Sequence, residues 1–210
     1  MKTKAAELKL RQGLDGLGLD LPTEPFMQYL ALLLQWNKAF NLTAVRDLDE
    51  MVSRHILDSL VILPWLRGTH WIDVGTGAGL PGIPLALARK DTTIVLLDSN
   101  GKKIRFLNEV KATLLLDFVH IIHARAEDYR PSQQFDTVLT RAFSDIPHIM
   151  KWTNHLIKPD GLWLCMKGRR PLDELTAINN PLLIKDYVVD GVSGERCCVM
   201  IEKNINAMQS

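Results

Sequence analysis

Apolar residues recur at helical spacing through the first third of the chain, three or four positions apart. The positions with this spacing are Phe26, Tyr29, Leu30, Leu33 and Phe40, followed after Asp47 by Met51, Ile56, Leu60 and Leu63. We therefore predict helices between about residues 5 and 66. Because their apolar faces need cover, we expect residues 1–66 to form an N-terminal helical extension packed on the rest of the protein.

From Trp71 onward, short apolar runs alternate with helical patterns, which is typical of strands that alternate with helices. The predicted strands are residues 71–74, 93–97, 119–122, 135–140 and 162–166, and the predicted helices lie near residues 82–90, 101–116, 145–156 and 171–178. Two final apolar segments, 183–189 and 196–202, flank residues 190–194 and predict a hairpin with a bulged turn. Residues 67–210 are therefore expected to form a Rossmann-like α/β domain, with a mostly parallel seven-stranded sheet and helices on both faces.

A glycine-rich segment follows the first predicted strand, where residues 70–84 read HWIDVGTGAGLPGIP. Gly75, Gly77 and Gly79 permit positive φ and let a ligand approach the backbone closely. Pro81 and Pro84 fit the first turn of a helix, where amide donors are unpaired anyway. The segment predicts a strand, a ligand-binding loop and a helix start.

Asp73, which precedes this loop, bears on the class of ligand. If Asp73 faces a ligand about 4 Å away, it repels a pyrophosphate by roughly 4 kcal/mol at an effective dielectric constant near 20, and attracts a cation by a similar amount. S-adenosylmethionine carries an ammonium and a sulfonium, so charge favours it over NAD. The alternative is that Asp73 only accepts hydrogen bonds from loop amides.

A second acidic residue ends the next predicted strand. Asp98 follows Gly79 by 19 positions, which is the spacing expected of a carboxylate that binds a ribose. Capping of the following helix is the alternative, but Ser99 and Asn100 already supply capping side chains. We therefore expect Asp98 to contact the cofactor.

Basic residues cluster after the predicted strands, although the net charge of the 210-residue chain is only +1. These residues are Lys102, Lys103, Arg105, Arg125, Arg141, Lys167, Arg169 and Arg170. Because ligands of open α/β sheets bind beyond the carboxyl ends of the strands, a cationic rim there suggests an anionic acceptor such as nucleic acid. The alternative is that these are solvated loop charges.

Several classes of protein and chemistry are disfavoured by what the sequence lacks. It has no apolar run of 18 residues and no signal-peptide pattern at its start, so we expect a cytoplasmic protein without a membrane partner. Its three cysteines suit neither a disulfide framework nor a metal site.

Motifs that the sequence lacks also limit which kind of atom can accept a methyl group. The chain lacks both the Asn/Asp-Pro-Pro-aromatic motif and the Pro-Cys nucleophile of other nucleic-acid methyltransferases, and Cys165 is expected to be buried. An acceptor that needs no activation, such as guanine N7 with its free lone pair, is therefore favoured.

Several blocks of this sequence resemble the bacterial ribosomal RNA small subunit methyltransferase G family, also called glucose-inhibited division protein B. The resemblance spans roughly residues 25–170. The blocks are Trp36–Ala44, His55–Leu60, Asp73–Pro84, Asp98-Ser99 with Lys102 and Arg105–Leu107, Arg125–Glu127, Thr140–Ala142 and Lys167-Gly168. The Asn-Leu-Thr-Ala and His-Ile-Leu-Asp-Ser segments are specific to the family, whereas the glycine loop is common to methyltransferases.

The resemblance implies a class I methyltransferase that uses S-adenosylmethionine, releases S-adenosylhomocysteine, and methylates N7 of one guanine in the decoding-region loop of 16S rRNA. In that family, loss of activity gives low-level streptomycin resistance. The residues expected at the cofactor are Asp73, Gly75, Gly77, Leu80, Asp98, Ala126, Glu127 and Arg141, and those expected at the RNA are Lys102, Arg105, Lys167 and Arg169. Arg141 is also the candidate catalytic residue in a mechanism that depends mainly on positioning.

Other interpretations stay open at this point. The loop also fits the dinucleotide pattern of an NAD-dependent oxidoreductase, and the chain is alternatively an RNA-binding module that retains a cofactor-shaped pocket. Naked rRNA, a 30S precursor and the assembled subunit are all possible acceptors, and we expect a monomer. Asn37 and Asn41 are expected to be structural caps, and Trp36 and Trp71 core residues. His55 and Asp58, one turn apart, suit either RNA or each other.

Overall fold

The predicted parallel strands are present in the structure, a computed structural model that describes residues 2–203. They are β1 (His70–Val74), β2 (Thr93–Asp98), β3 (Val119–His123), β4 (Phe135–Arg141) and β5 (Ile157–Lys167). The C-terminal pair, β6 (Leu182–Asp186) and β7 (Cys197–Glu202), completes one sheet in the order β3-β2-β1-β4-β5-β7-β6. Strand β7 runs antiparallel to both of its neighbours, so the predicted mostly parallel seven-stranded sheet is confirmed.

The N-terminal region is helical, as predicted. It contains α1 (Lys2–Gly16), α2 (Glu24–Phe40), α3 (Leu48–Met51), a π-helical segment (Val52–Leu57), α4 (Asp58–Leu60) and a short 3-10 turn (Leu63–Trp65). Between the strands lie α5 (Gly82–Ala88), α6 (Gly101–Leu114), α7 (Ile146–Thr153) and α8 (Leu172–Leu175). Residue 1 of the predicted N-terminal extension and residues 204–210 of the predicted α/β domain lie outside the described residues.

Two apolar cores cover the two faces of the sheet. On one face, side chains of α1 and α2 such as Leu10 and Leu33 share a core with Ile83 of α5 and Phe106 of α6. On the other face, Ile146 and Ile149 of α7 pack against the sheet. The N-terminal helices therefore form a layer on the sheet, and their boundary at residue 66 remains a prediction.

The predicted core and capping residues lie where expected. Trp71 is fully buried, and Trp36 packs against Phe106 with 5.8 Å between ring centroids. Asn37 accepts a hydrogen bond from the Thr43 amide and donates one to the Thr43 carbonyl, both at 2.9 Å, while Asn41 ends α2 in a left-handed conformation. The structural role predicted for both asparagines is confirmed.

The C-terminal third departs from the predicted elements. The helix predicted over residues 171–178 is limited to the four residues of α8. The strand predicted over 183–189 ends at Asp186, and the hydroxyl of the next residue, Tyr187, donates a hydrogen bond to Asp58 at 3.2 Å. Strand β5 begins at Ile157, five residues before the apolar run, and residues 158–160 are more exposed than that run. Apolar patterning therefore made α8 and β6 too long and missed the exposed start of β5.

The helical layer also reaches the glycine loop directly. The hydroxyl of Tyr29, a buried residue of α2, donates a hydrogen bond to the carbonyl oxygen of Ala78 at 2.8 Å. Ala78 lies between the second and third glycines of the loop. The N-terminal layer therefore helps to fix the loop that follows β1.

Candidate cofactor site and adjoining cavity

The loop after β1 has the backbone that its glycines predict. Gly75, Gly77 and Gly79 have φ of +68°, +62° and +92°, a region that side chains disfavour. At Gly79 an added β-carbon would also lie 2.5 Å from Cγ1 of Ile83 at the start of α5. The loop therefore turns tightly between β1 and α5. At Gly75 an added β-carbon would lie 2.2 Å from Cδ2 of Phe143, so only glycine lets that ring pack on the loop.

Asp73 is absent from the walls of the cavity after β1 and accepts hydrogen bonds from its own loop. Its Oδ2 accepts from the Thr76 hydroxyl at 2.7 Å and the Gly82 amide at 2.9 Å, while its Oδ1 has no partner among the described residues. Its side chain is fully buried, and burial raises the pKa of Asp73 to about 6 despite these two bonds. The hydrogen bonds expected by the alternative interpretation are present, and contact between Asp73 and the cofactor remains a prediction.

Asp98 organises the end of β2. Its Oδ2 accepts a hydrogen bond from the Gly77 amide at 2.9 Å and lies 3.4 Å from Nζ of Lys103, while its Oδ1 accepts from the Asn100 amide at 2.8 Å. Asn100 caps α6 by accepting from the Lys102 amide, as predicted. An ionised carboxylate has about four acceptor sites, so Asp98 retains capacity for a ligand hydroxyl.

A cavity of about 480 Å³ lies beyond the carboxyl ends of β1 to β4. In an open α/β sheet this is where ligands bind, at the point where strand order reverses. Its walls are Val74, Gly75, Leu97, Asp98, Ser99, Asn100, Lys103, Ala124, Arg125, Ala126, Glu127, Ala142, Phe143, Ser144 and Trp152. We call this space the cofactor cavity.

Only some of the residues expected at the cofactor line the cofactor cavity. Gly75, Asp98, Ala126 and Glu127 line the cofactor cavity. Gly77 and Leu80 are absent from its walls. The Gly77 amide donates a hydrogen bond to Asp98, and the Leu80 side chain packs on the apolar core. Arg141 instead lines a neighbouring cavity.

This second cavity has a volume of about 250 Å³ and is bounded by Asp58, Arg141, Ala142, Met166, Lys167, Gly168, Tyr187 and Arg196. It shares Ala142 with the cofactor cavity, so the two adjoin. Nη2 of Arg141 lies 3.3 Å from Oδ2 of Asp58 and donates to the Arg54 carbonyl at 2.8 Å. Asp58, one of the residues whose role the sequence left open, is therefore beside the candidate site.

His55 contacts neither Asp58 nor the second cavity. Its Nε2 lies 2.9 Å from the hydroxyl oxygen of Thr43. Burial, assisted by the positive charge of Arg141, lowers the pKa of His55 to about 4. His55 is therefore a neutral histidine that fixes the turn after α2, and the hydrogen bond with Asp58 considered from the sequence is not formed.

The residues expected at the RNA differ in how accessible they are. Lys102 and Arg105 are exposed on α6, and the Arg105 guanidinium lies 5.8 Å from the ring centroid of Phe40. Lys167 is half-buried and pairs with Glu174 at 2.8 Å. Arg169 is exposed on an open groove beyond β5. Lys102, Arg105 and Arg169 are available to an external anion, whereas Lys167 is held by its own neighbours.

Several residues at the two cavities, among them Lys103 and Arg196, were not among the predicted site residues. Lys103 was grouped only with the cationic rim, yet it lies 3.4 Å from Asp98. Phe143 and Trp152 meet at 5.9 Å between ring centroids, and Arg196 reaches Asp58 from the start of β7. The spacing of Lys103 after Asp98 was a usable signal. Arg196 carried none, because only the fold brings it near β4.

Residues 2–203 offer no alternative chemistry at Cys165 or at a metal site. Cys165 is buried, and burial raises the pKa of its thiol to about 12, so it does not act as a nucleophile. Within this range no group of three or more His, Cys, Asp or Glu side chains is arranged to hold a metal ion. None of the described helices is both long and apolar enough to cross a bilayer.

Sequence comparisons connect this site with a known family. Residues 23–196 match the family model described as rRNA small subunit methyltransferase G. The ribosomal RNA small subunit methyltransferase G of Legionella pneumophila strain Philadelphia 1 is 55% identical over 192 residues, which cover 91% of this chain and 92% of that protein. The protein of the same name from Pseudomonas syringae pv. tomato is 46% identical and covers 97% and 99%.

Solved structures share the fold at much lower identity. An O-methyltransferase from Bacillus cereus in complex with S-adenosylhomocysteine superposes with a TM-score of 0.58 at 18% identity, covering 83% of this chain and 90% of that one. The methyltransferase domain of METTL16 gives a TM-score of 0.58 at 14% identity, covering 85% and 96%. The fold is therefore that of class I methyltransferases.

Proposed function

Because the chain belongs to the rRNA small subunit methyltransferase G family, it is an S-adenosylmethionine-dependent rRNA methyltransferase, and we propose that it methylates N7 of one guanine in the decoding-region loop of 16S rRNA. The observation that carries the proposal is the cofactor cavity itself, with two carboxylates on its walls and exposed cations at its rim. We further propose that the enzyme is a cytoplasmic monomer that acts on 16S rRNA, whether naked or within a 30S precursor or subunit.

The residues on the walls fit S-adenosylmethionine. Asp98 has free acceptor capacity for a ribose hydroxyl, and Glu127 places a second carboxylate on the same cavity. Gly75 and Phe143 lie on the same wall, where the absence of a side chain at Gly75 keeps the backbone within reach of the cofactor. When bound, S-adenosylmethionine supplies an electrophilic methyl group on a sulfonium.

Guanine N7 is the acceptor that best suits the residues present. Its lone pair forms the new N–C bond while the S–C bond breaks, and the electrons of that bond return to sulfur. No proton leaves N7, so the reaction needs no general base. The chain then has to bind the base and align it with the methyl group, which is catalysis by proximity and orientation.

The exposed cations provide contacts for the phosphates of the RNA. Lys102 and Arg105 lie on α6, next to the end of β2, and Arg169 lies beyond β5. Lysine and arginine contacts to phosphates supply sequence-independent affinity that falls as salt increases. We propose that these three residues hold the RNA backbone and that base selection occurs nearer the cavities.

The reaction is tested by mapping modified nucleosides in 16S rRNA from cells with and without this protein. A 7-methylguanosine in the decoding-region loop that disappears with the protein, and returns on addition of the purified enzyme, supports the proposal. Methylation at another atom or in another region of the rRNA would contradict it.

The ribose role of Asp98 is tested with Asp98→Ala. Loss of a hydrogen bond to a charged group costs about 1.5–3 kcal/mol, and the Gly77 and Asn100 amides also lose their acceptor. We expect the Kd for S-adenosylmethionine, measured by calorimetry, to rise at least tenfold, since about 1.4 kcal/mol corresponds to a factor of ten. The matched control is Asp117→Ala, since Asp117 is exposed on the connection between α6 and β3. Unchanged affinity in Asp98→Ala, or preferential binding of NAD by the natural protein, would refute the assignment.

A further inference from the structure

The second cavity has no role in binding the cofactor described so far. It lies between α4, the ends of β4 and β5, and the segment that leads into β7. Only Ala142 lines both this cavity and the cofactor cavity. Ala142 has a φ of +51°, an uncommon conformation for a residue with a side chain, and such residues are concentrated at functional sites.

Asp58 is the centre of the polar cluster on its wall. The side chain of Asp58 is only 3% exposed. Its Oδ2 pairs with Arg141, and its Oδ1 lies 3.5 Å from Nε of Arg196 and accepts a hydrogen bond from the Tyr187 hydroxyl at 3.2 Å. The helical layer, β4 and the β6–β7 connection are thus joined at one carboxylate.

We propose that the second cavity is the subsite for the target base, and that Asp58 is a positioning residue that holds Arg141 and Arg196 on its wall. This inference rests on the proposed function, since it assumes that a base of the RNA is the acceptor. The volume of about 250 Å³ is below the roughly 300–1,000 Å³ of pockets that take drug-sized ligands, so it suits a single base. Its contact with the cofactor cavity at Ala142 places a base in that subsite beside the methyl donor.

The polar groups of the second cavity favour guanine over adenine. Arg141 and Arg196 are cationic hydrogen-bond donors on its wall, whereas the Lys167 ammonium is already paired with Glu174. Guanine presents the O6 acceptor at the position where adenine presents an amino donor. A wall of donors therefore pairs with guanine O6 and leaves the adenine amino group without an acceptor. Met166 adds apolar surface for the base.

The carboxylate of Asp58 explains how the arginines are kept in place. Two guanidiniums that share one small cavity repel each other, and a buried carboxylate between them offsets that repulsion. Removal of its charge leaves Arg141 free to change its orientation, although its hydrogen bond to the Arg54 carbonyl at 2.8 Å remains. The cofactor cavity is not lined by Asp58, so its ligand affinity is expected to be insensitive to this change.

The first test fills the cavity. Gly168 is on the cavity rim, and an added β-carbon there has no heavy atom within 4 Å, so Gly168→Leu adds an apolar side chain at the rim with no collision at its β-carbon. Gly16→Leu is the matched control, because Gly16 lies at the end of α1 with equally open surroundings. For Gly168→Leu we expect kcat/KM on rRNA to fall at least tenfold, with the Kd for S-adenosylmethionine within twofold of the natural protein.

The second test removes the charge of Asp58 with Asp58→Asn and measures kcat and KM separately. We expect kcat to fall at least tenfold, because the base is misaligned, while KM changes less than threefold, because the phosphate contacts remain. A general loss of structure would instead weaken cofactor binding as well. If Asp58→Asn does not fold, Gly168→Leu decides the question.

The outcomes separate this inference from the proposed function. Normal rRNA methylation by Gly168→Leu, or an equal loss of cofactor affinity, would overturn the subsite. If nucleoside mapping shows methylation at a guanine atom other than N7, yet both variants lose activity with cofactor binding intact, the subsite is supported and only the N7 assignment fails.

Discussion

Two aspartates near the cofactor cavity, Asp73 and Asp58, are both buried, but they are held in different ways. Asp73 accepts hydrogen bonds only from neutral groups, Thr76 and Gly82, which lie three and nine residues along the chain. Asp58 pairs with two arginines and with Tyr187, which is 129 residues away. A local turn thus supports the cofactor side of the molecule, whereas contacts between distant segments build the adjoining cavity.

This difference also affects the pKa of each carboxylate. Burial raises the pKa of both groups. For Asp58 the nearby guanidiniums are the main groups that oppose that increase, whereas for Asp73 two hydrogen bonds oppose it most and the charge of Arg141 adds less. Asp58 therefore contributes through charge, and Asp73 through the geometry of its loop.

The largest expected effect is on stability in Asp58→Ala. Removing one partner of a buried ion pair leaves the other charges uncompensated, which typically costs 3–5 kcal/mol. Since Arg141 and Arg196 keep 23% and 18% of their side chains exposed, we expect about 3 kcal/mol, measured as the free energy of unfolding in urea. Adding Arg196→Ala to the Asp58→Ala variant should lower the free energy of unfolding by less than Arg196→Ala does in the natural protein. Simple additivity would show that the arginines are not coupled to Asp58.

The second prediction concerns the pH dependence of Asp73. Because its pKa is about 6 in the folded state and near 3.8 when unfolded, its contribution is largest below about pH 4 and is lost as the pH rises through 6. Relative to Asp73→Asn, the natural protein should lose about 3 kcal/mol of unfolding free energy over this interval, at about 1.4 kcal/mol per pKa unit. Urea titrations at pH 4, 5, 6 and 7 measure the difference. Parallel curves for the two proteins would contradict the raised pKa.

The smallest effect is expected from Gly77→Ala, within the same loop as Asp73. An added β-carbon there has only two heavy atoms within 4 Å, both at 3.9 Å, so the main cost is the positive φ, about 1–2 kcal/mol. We expect the thermal midpoint to fall by a few degrees. Gly79→Ala is the sharper comparison, because its β-carbon would also collide with Ile83. Equal losses in the two variants would show that packing around Gly79 adapts.

The sequence predicted most of the sheet and the cofactor side, for a physical reason. The strands are buried apolar runs, and the glycine loop with Asp98 follows spacings typical of loops that bind nucleotide cofactors. The hydrogen bonds of Asp73 with Thr76 and Gly82 were considered only as an alternative, because residue type alone does not show which way a carboxylate points. The partners of Asp58 were not predicted, since Arg141, Tyr187 and Arg196 come together only when β4 and β7 are in place.

The position of β7 in the sheet has a consequence for synthesis on the ribosome. The last strand to leave the exit tunnel occupies the penultimate place, between β5 and β6, so the sheet closes only when residue 202 is available. Every residue that lines the cofactor cavity lies at or before Trp152, whereas Tyr187 and Arg196 are translated later. A nascent chain therefore has all residues of the donor pocket well before it can assemble the subsite for the base, and a chain truncated before β6 would lack two walls of that subsite.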